Sequence, residues 1–125
     1  MARVLIYSPD LLFGSQTQGS LLAAGHEALL VGDWDGVASA VAGVDAFTVD
    51  LTAEPSLRVS LFESLSREGA LGGVKTLAFY SHVDADVRQA AVDAGFDLVV
   101  PRSRMAREGA ELITRVATPP KSGLS

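Results

Sequence analysis

The stretch VDAFTVDLTAEP, from Val44 to Pro55, decides the fold of this chain. Its centre, AFTVDL (46–51), is a short apolar run with the β-branched and aromatic residues that favour strands. Asp50 lies at the end of that run, and Pro55 suits the first turn of a helix. The stretch therefore predicts a buried strand, a turn and a helix, with a carboxylate at the strand's carboxyl end.

The same alternation of a short apolar run and a longer amphipathic stretch covers most of the chain. Leu57, Leu61 and Leu65, with Phe62, form the expected apolar stripe of the third helix. The pattern predicts an open parallel sheet with helices on both faces, a three-layer α/β/α sandwich. The predicted strands are 3–8, 27–32, 46–51, 74–81 and 96–101, and the predicted helices are about 10–24, 34–43, 55–68, 85–95 and about 104–116.

Length and composition limit the classes of function. The 125 residues, 48 % of them apolar and none of them cysteine, suit one packed domain at 1–117 without disulfides or thiolate metal sites. The tail 118–125, with its prolines, is expected to be disordered. A net charge of −5 disfavours nucleic-acid binding. Since neither a signal peptide nor a membrane span is visible, we expect no membrane association and a cytoplasmic location.

Polar residues follow several of the predicted strands. In open parallel sheets, sites lie beyond the carboxyl ends of the strands, so we expect a pocket around Asp50. Neither histidine has a partnered base and nucleophile, so no catalytic residue is assigned and no enzyme is expected. The predicted pocket residues are Ser8, Asp10, Thr52, Ser81, His82 and Arg102.

Several local strings resemble the receiver domains of response regulators. VDAFTVDL resembles the receiver strand that ends in the phosphoacceptor aspartate, which puts Asp50 in that position. LAFYSHVDADVRQAAVDAGFDLVVPRS resembles the receiver segment from strand 4 to strand 5, with Ser81 in place of the switch serine or threonine. The resemblance implies a flavodoxin-like sheet of order 2-1-3-4-5 and a role in two-component signalling. In the strings DLLFGS and FYSHVD…VPRS, the chain also resembles small stand-alone receiver-like proteins of unassigned function.

The chain departs from the receiver pattern at the positions that bind the metal ion and assist phosphoryl transfer in receivers. Receivers hold Mg²⁺ with an acidic pair after strand 1 and use a lysine after strand 5; here Ser8–Pro9 and Pro101–Arg102 stand there. Asp10 lies one position later and is expected to cap the first helix. Asp10 and Asp50 are the only metal ligands that the pattern offers. We therefore expect no cofactor, with Mg²⁺ at these two residues as the open alternative.

Two further sequence features could bind a ligand, and each also has a simpler structural explanation. FGSQTQGS (Phe13–Ser20) resembles the phosphate loop of flavodoxins, which would make the chain a binder of a flavin or nucleotide, but PDLL separates it from the strand. We expect it to lie inside the first helix instead. Trp34 could anchor a ligand, but we expect it half-buried against the second helix or a neighbouring loop.

The residues favour a receiver-like regulatory module that acts through protein contacts and has impaired or lost phosphorylation of Asp50. A functional phosphoacceptor that uses Mg²⁺ and a flavodoxin-like binder are the alternatives. We expect a protein partner, or a second copy of the chain, to bind the face formed by helix 4, strand 5 and helix 5. The residues expected on that surface are Tyr80, Arg102, Arg104 and Arg107.

Overall fold

The computed structural model describes residues 1–81 and 84–117. Within these two ranges, five strands and five α-helices alternate, with one short 3₁₀ turn at Trp34–Gly36. The strands are β1 (Arg3–Tyr7), β2 (Glu27–Val31), β3 (Ala46–Asp50), β4 (Lys75–Tyr80) and β5 (Leu98–Pro101). The helices are α1 (Leu11–Ala23), α2 (Val37–Ala40), α3 (Pro55–Arg67), α4 (Ala85–Ala94) and α5 (Arg102–Ala117). The predicted His82 and the predicted tail 118–125 lie outside the described residues.

All five strands pair in parallel, in the order β2-β1-β3-β4-β5. Tyr7 at the end of β1 is in register with Val49, and Asp50 is in register with Phe79. Each strand is followed by a helix on one of the two faces, so the predicted three-layer α/β/α sandwich and its strand order are confirmed. The carboxyl ends of β1, β3 and β4 therefore meet at one edge of the sheet.

The sheet separates two apolar cores. The core under α2, α3 and α4 contains Phe47, Val49 and Phe62, and the core under α1 and α5 contains Ile6 and Phe79. Alternate residues of β3 point into opposite cores, because side chains alternate along a strand. Asp50 is two residues beyond Thr48 and so points to the α1 and α5 side.

Helix boundaries follow local signals. Asp10 accepts a hydrogen bond from Phe13 N and caps α1, and Asp84 caps α4 through Val87 N. Gly25 and Gly95, which follow α1 and α4, adopt φ of +93° and +102°, a conformation that costs glycine little. The cap expected at Asp10 is confirmed.

The predicted apolar stripe of α3 is partly wrong. Leu57 is 46 % exposed, whereas Val59, Phe62 and Leu65 are buried. Pro55 begins the helix as predicted, but the face turned to the sheet is set by Val59 rather than by Leu57. The difference follows from helix geometry, since Val59 is three residues before Phe62.

His26 joins the start and the end of the fold. The residue is 6 % exposed, its Nδ1 accepts a 2.9 Å hydrogen bond from Ala2 N, and its Nε2 lies 3.1 Å from Thr114 Oγ1. The acceptor role of Nδ1 places the proton of the neutral ring on Nε2, which then donates to Thr114. The ring thus connects β1, β2 and α5 at the edge opposite the carboxyl ends.

Candidate functional site

Asp50 is the buried centre of the carboxyl edge. Its side chain is at the end of β3, and the residue is 1 % exposed. Oδ2 accepts a 2.7 Å hydrogen bond from Ser8 Oγ, and Oδ1 accepts from both Thr52 N at 2.8 Å and Thr52 Oγ1 at 2.5 Å. Three donors therefore surround one carboxylate, which compensates for its removal from water.

Ser8 occupies the position directly after β1, on the strand next to β3. Its residue is fully buried, and its hydroxyl also lies 3.0 Å from Asp10 O. A hydroxyl has one proton to donate, and the shorter contact to a charged oxygen favours Asp50 as its acceptor. Ser8 thus neutralises none of the charge of Asp50 but holds one of its oxygens in place.

Asp10 serves two purposes with its two carboxylate oxygens. Oδ1 accepts from Phe13 N at 3.0 Å and caps α1, whereas Oδ2 forms a 3.1 Å ion pair with Arg102 Nη2. Both side chains of the pair are about two-fifths exposed, at 43 % for Arg102 and 40 % for Asp10. The pair joins the first and the last helix over the carboxyl edge.

Arg102 is the first residue of α5, which begins two residues earlier than predicted. Its guanidinium carbon lies 4.2 Å from the centre of the Phe13 ring. A guanidinium over an aromatic face is a favourable arrangement that also restricts the arginine to one position. Phe13 was not among the predicted pocket residues, although its place three residues after the cap directs it towards the sheet.

An open cleft of about 590 Å³ lies at this edge. Ser81, predicted for the pocket, lines it together with Thr52 and Arg102, so three of the predicted residues are brought together. Ser8 and Asp50 are buried behind this wall. The residues that line the cleft are Phe13, Thr52, Ser81, Arg102, Ser103 and Ala106.

These residues do not fit a magnesium site in the arrangement described. Magnesium requires several oxygen ligands in nearly octahedral geometry, but both oxygens of Asp50 face hydroxyl or amide donors, and Oδ2 of Asp10 faces a cation. Within 1–81 and 84–117, no group of three acidic or histidine side chains could hold a metal ion. No chemical step is therefore assigned to a metal here.

A second polar group lies on the other face of the sheet, at the same edge. The Arg58 guanidinium carbon is 5.3 Å from the centre of the Tyr7 ring, and Arg58 also pairs with Glu54 at 3.3 Å. Burial raises the pKa of the Tyr7 phenol above 10.0; Arg58 opposes the rise, and Asp50, Asp33 and Glu54 add to it. No local sequence pattern indicates this group, because it depends on β1 and α3 meeting in space.

Trp34 is half-buried, as predicted, but its partners are on the sheet. Its ring packs edge-on against Tyr7 with centres 5.0 Å apart, and against Phe47 at 5.9 Å. The stretch Phe13–Ser20 lies wholly inside α1, as expected from the sequence, so these residues form no phosphate loop after β1.

The expected interaction surface is only partly exposed. Tyr80 is 7 % exposed and belongs to the core under α2, α3 and α4. Arg104 and Arg107 lie on α5, where both contact Glu108, at 3.4 Å and 3.5 Å. Arginine charge is therefore present on α5, paired with Glu108, whereas the Tyr80 side chain is buried. Among the described residues, no helix is long and apolar enough to cross a membrane.

Solved structures with the same fold are response-regulator receivers and related proteins. The receiver domain of the Francisella response regulator 1452 superposes with a TM-score of 0.80 at 11 % identity, covering 94 % of this chain and 97 % of that chain. The chemotaxis protein CheY4 of Vibrio cholerae gives a TM-score of 0.79 at 14 % identity, over 93 % of this chain and 98 % of that one.

A third similar structure is a putative pilus assembly protein (cpaE) from Burkholderia thailandensis, with a TM-score of 0.77 at 18 % identity over 95 % of this chain and all 100 % of that one. No family model matches the sequence, and no curated protein matches it. Likeness at these identities establishes that the chain has the receiver fold.

Proposed function

We propose that this chain is a non-enzymatic regulatory module with the receiver fold, in which Asp50 is a structural carboxylate and signals pass through protein contacts. The observation that carries the proposal is the environment of Asp50. Its two oxygens accept hydrogen bonds from Ser8 and Thr52, and the residue is 1 % exposed.

Phosphoryl transfer to a carboxylate needs an accessible oxygen and cations that neutralise the charge of the group in transfer. In the described arrangement, Ser8 covers one oxygen of Asp50, and Thr52 covers the other. Arg102, the cation of the cleft, is already paired with Asp10. These contacts support slow or absent phosphorylation, and they support a module that needs no metal cofactor.

The direct test is incubation with Mg²⁺ and acetyl phosphate, followed by measurement of the intact mass. We expect no gain of a phosphoryl group under conditions in which a receiver with an intact acidic pair, treated in parallel, is phosphorylated. A gain that disappears in Asp50→Asn would show that Asp50 is a functional phosphoacceptor and would overturn the proposal. Binding of beryllofluoride would count against it in the same way.

The face of α4, β5 and α5 is the proposed contact surface. Arg104 and Arg107 belong to α5, which forms one side of this surface, and Val92 of α4 is 43 % exposed. Glu108 pairs with both arginines, so an acidic partner would compete with one carboxylate for two cations. We propose a protein partner with an acidic patch, and a second copy of this chain is the simplest case.

Sedimentation velocity at increasing concentration tests the second copy. Self-association that is abolished by Arg104→Glu and retained in Arg115→Glu, a charge reversal near the other end of α5, would support it. A monomer at every concentration would remove self-association from the proposal and leave a different protein as the partner.

A further inference from the structure

The cleft beside Asp50 has the size and the walls of a small-molecule site. Its volume of about 590 Å³ lies within the range of roughly 300–1,000 Å³ that is typical of ligand pockets. Ala106, which is exposed, and the small exposed part of Phe13 supply apolar surface, and Thr52 and Ser103 are the polar residues of the lining. Such a mixture suits a ligand with an apolar body and one polar end.

Arg102 is the residue that would recognise the polar end. Its guanidinium is stacked on Phe13 at 4.2 Å, its side chain is 43 % exposed, and the residue lines the cleft. A guanidinium carries five N–H donors in a planar fork that matches a carboxylate. As the first residue of α5, Arg102 also lies at the helix end that favours negative charge.

An incoming carboxylate can replace Asp10 as the ion-pair partner of Arg102 at little cost in free energy. A pair whose side chains are both about 40 % exposed contributes little to stability, because water screens it. Asp10 would keep its other oxygen on Phe13 N, so the cap of α1 would survive the exchange. An incoming carboxylate can therefore take the place of Asp10 Oδ2 without unfolding the helix start.

The charges around the cleft select the type of anion. Among the described residues that line the cleft, Arg102 is the cation, whereas Asp10 lies beside it and Asp50 lies behind Thr52. A dianion such as a phosphate monoester would meet two carboxylates and one guanidinium, whereas a single carboxylate matches the one cation. The balance of charge thus favours a monoanion.

We propose that this cleft binds a small organic monocarboxylate, with the carboxylate on Arg102 and the apolar body against Phe13 and Ala106. The proposal goes beyond the function proposed above, because it does not depend on whether Asp50 accepts a phosphoryl group. The ligand would separate Arg102 from Asp10 and so alter the contact between α1 and α5.

The test is a titration of the ¹⁵N-labelled chain with sodium benzoate, followed by amide NMR without Mg²⁺ or any phosphodonor. We expect saturable shifts at the amides of Phe13, Thr52 and Ser103. Arg102→Gln should weaken binding by about tenfold or more, as loss of a charge-assisted pair predicts. Arg115→Gln, which removes the same charge near the other end of α5, should leave the affinity unchanged.

Two further measurements keep the test decisive if Arg102→Gln fails to fold. Asp10→Asn preserves the capping oxygen and removes the competing charge, so benzoate should bind more tightly. Benzamide, which has the same shape without the charge, should bind at least about tenfold more weakly than benzoate. Equal binding of benzamide, tighter binding of inorganic phosphate, or the absence of saturable shifts would overturn the proposal.

Discussion

Ser8 Oγ donates a 2.7 Å hydrogen bond to Asp50 Oδ2, joining two neighbouring strands through residues 42 positions apart in the chain. Both residues are buried, at 0 % and 1 % exposure. Where receivers are expected to carry an acid that binds a metal, this chain carries a donor that binds the aspartate itself. The electrostatic repulsion of two adjacent carboxylates is thereby replaced by an attraction.

Ser8→Ala should lower the free energy of unfolding by about 1–3 kcal/mol, because one oxygen of a buried carboxylate would lose its donor. Urea denaturation measures the change. Ser66→Ala, at an exposed position of α3, is the matched control and should stay within about 0.5 kcal/mol of the wild type. Equal effects of the two substitutions would contradict the role given to Ser8.

Ser8→Asp should create a response to divalent cations that we do not expect of the wild type. The new carboxylate would lie beside Asp50, so the variant should be destabilised in a chelator and restabilised by Mg²⁺. Thermal unfolding with and without Mg²⁺ measures this response. Ser8→Asn, of similar size but uncharged, should show none, and a cation response in that variant would rule out the charge-based explanation.

Thr48→Val should leave the stability unchanged or raise it by about 1 kcal/mol. The Thr48 hydroxyl is fully buried and has no hydrogen-bond partner within the described part of the chain, so the substitution removes a polar group that is left unsatisfied. Thr76→Val is the contrasting variant, because the Thr76 hydroxyl accepts from Asp97 N at 3.0 Å and lies 3.2 Å from Asp97 Oδ2.

Loss of those contacts should cost Thr76→Val about 1–3 kcal/mol. Chemical denaturation of both variants measures the contrast. A Thr48→Val variant that is destabilised as much as Thr76→Val would indicate that the Thr48 hydroxyl has a partner in solution.

Tyr7→Phe should reduce the alkaline loss of stability. Burial raises the pKa of the Tyr7 phenol in the folded chain above its ordinary value of 10.0. As the pH passes 10, this phenol therefore ionises in the unfolded chain while it stays protonated in the folded chain. The stabilising contribution is therefore complete below pH 10 and is lost as the pH rises through the folded-state pKa. Denaturation at pH 8 and at about pH 11 should show a smaller decline in the variant. An identical decline would contradict the raised pKa.

Most of the fold could be predicted from local patterns, because strand runs, helix caps and glycine stops depend on neighbours in the chain. The caps at Asp10 and Asp84 and the strand before Asp50 follow from such patterns. The exposed position of Leu57 and the buried position of Tyr80 could not be predicted, because each depends on how its element is turned towards the sheet.

The site could be predicted in outline but not in its contacts. The positions of Thr52, Ser81 and Arg102 at one edge follow from the topology alone. The bond from Ser8 to Asp50 depends on the register of β1 and β3, and the pair of Arg102 with Asp10 spans 92 positions of the chain. The sequence identifies which acids are missing but not which donors replace them.

The contacts of the His26 ring indicate where a label or a tether can be attached without blocking the cleft. The ring holds Ala2 and Thr114 at the same end of the sheet, opposite the cleft. Met1, the residue before Ala2, is exposed, so a surface tether or a label attached there would leave from the far side of the molecule. Such an attachment keeps the edge with Arg102 and Asp50 open to a ligand in solution.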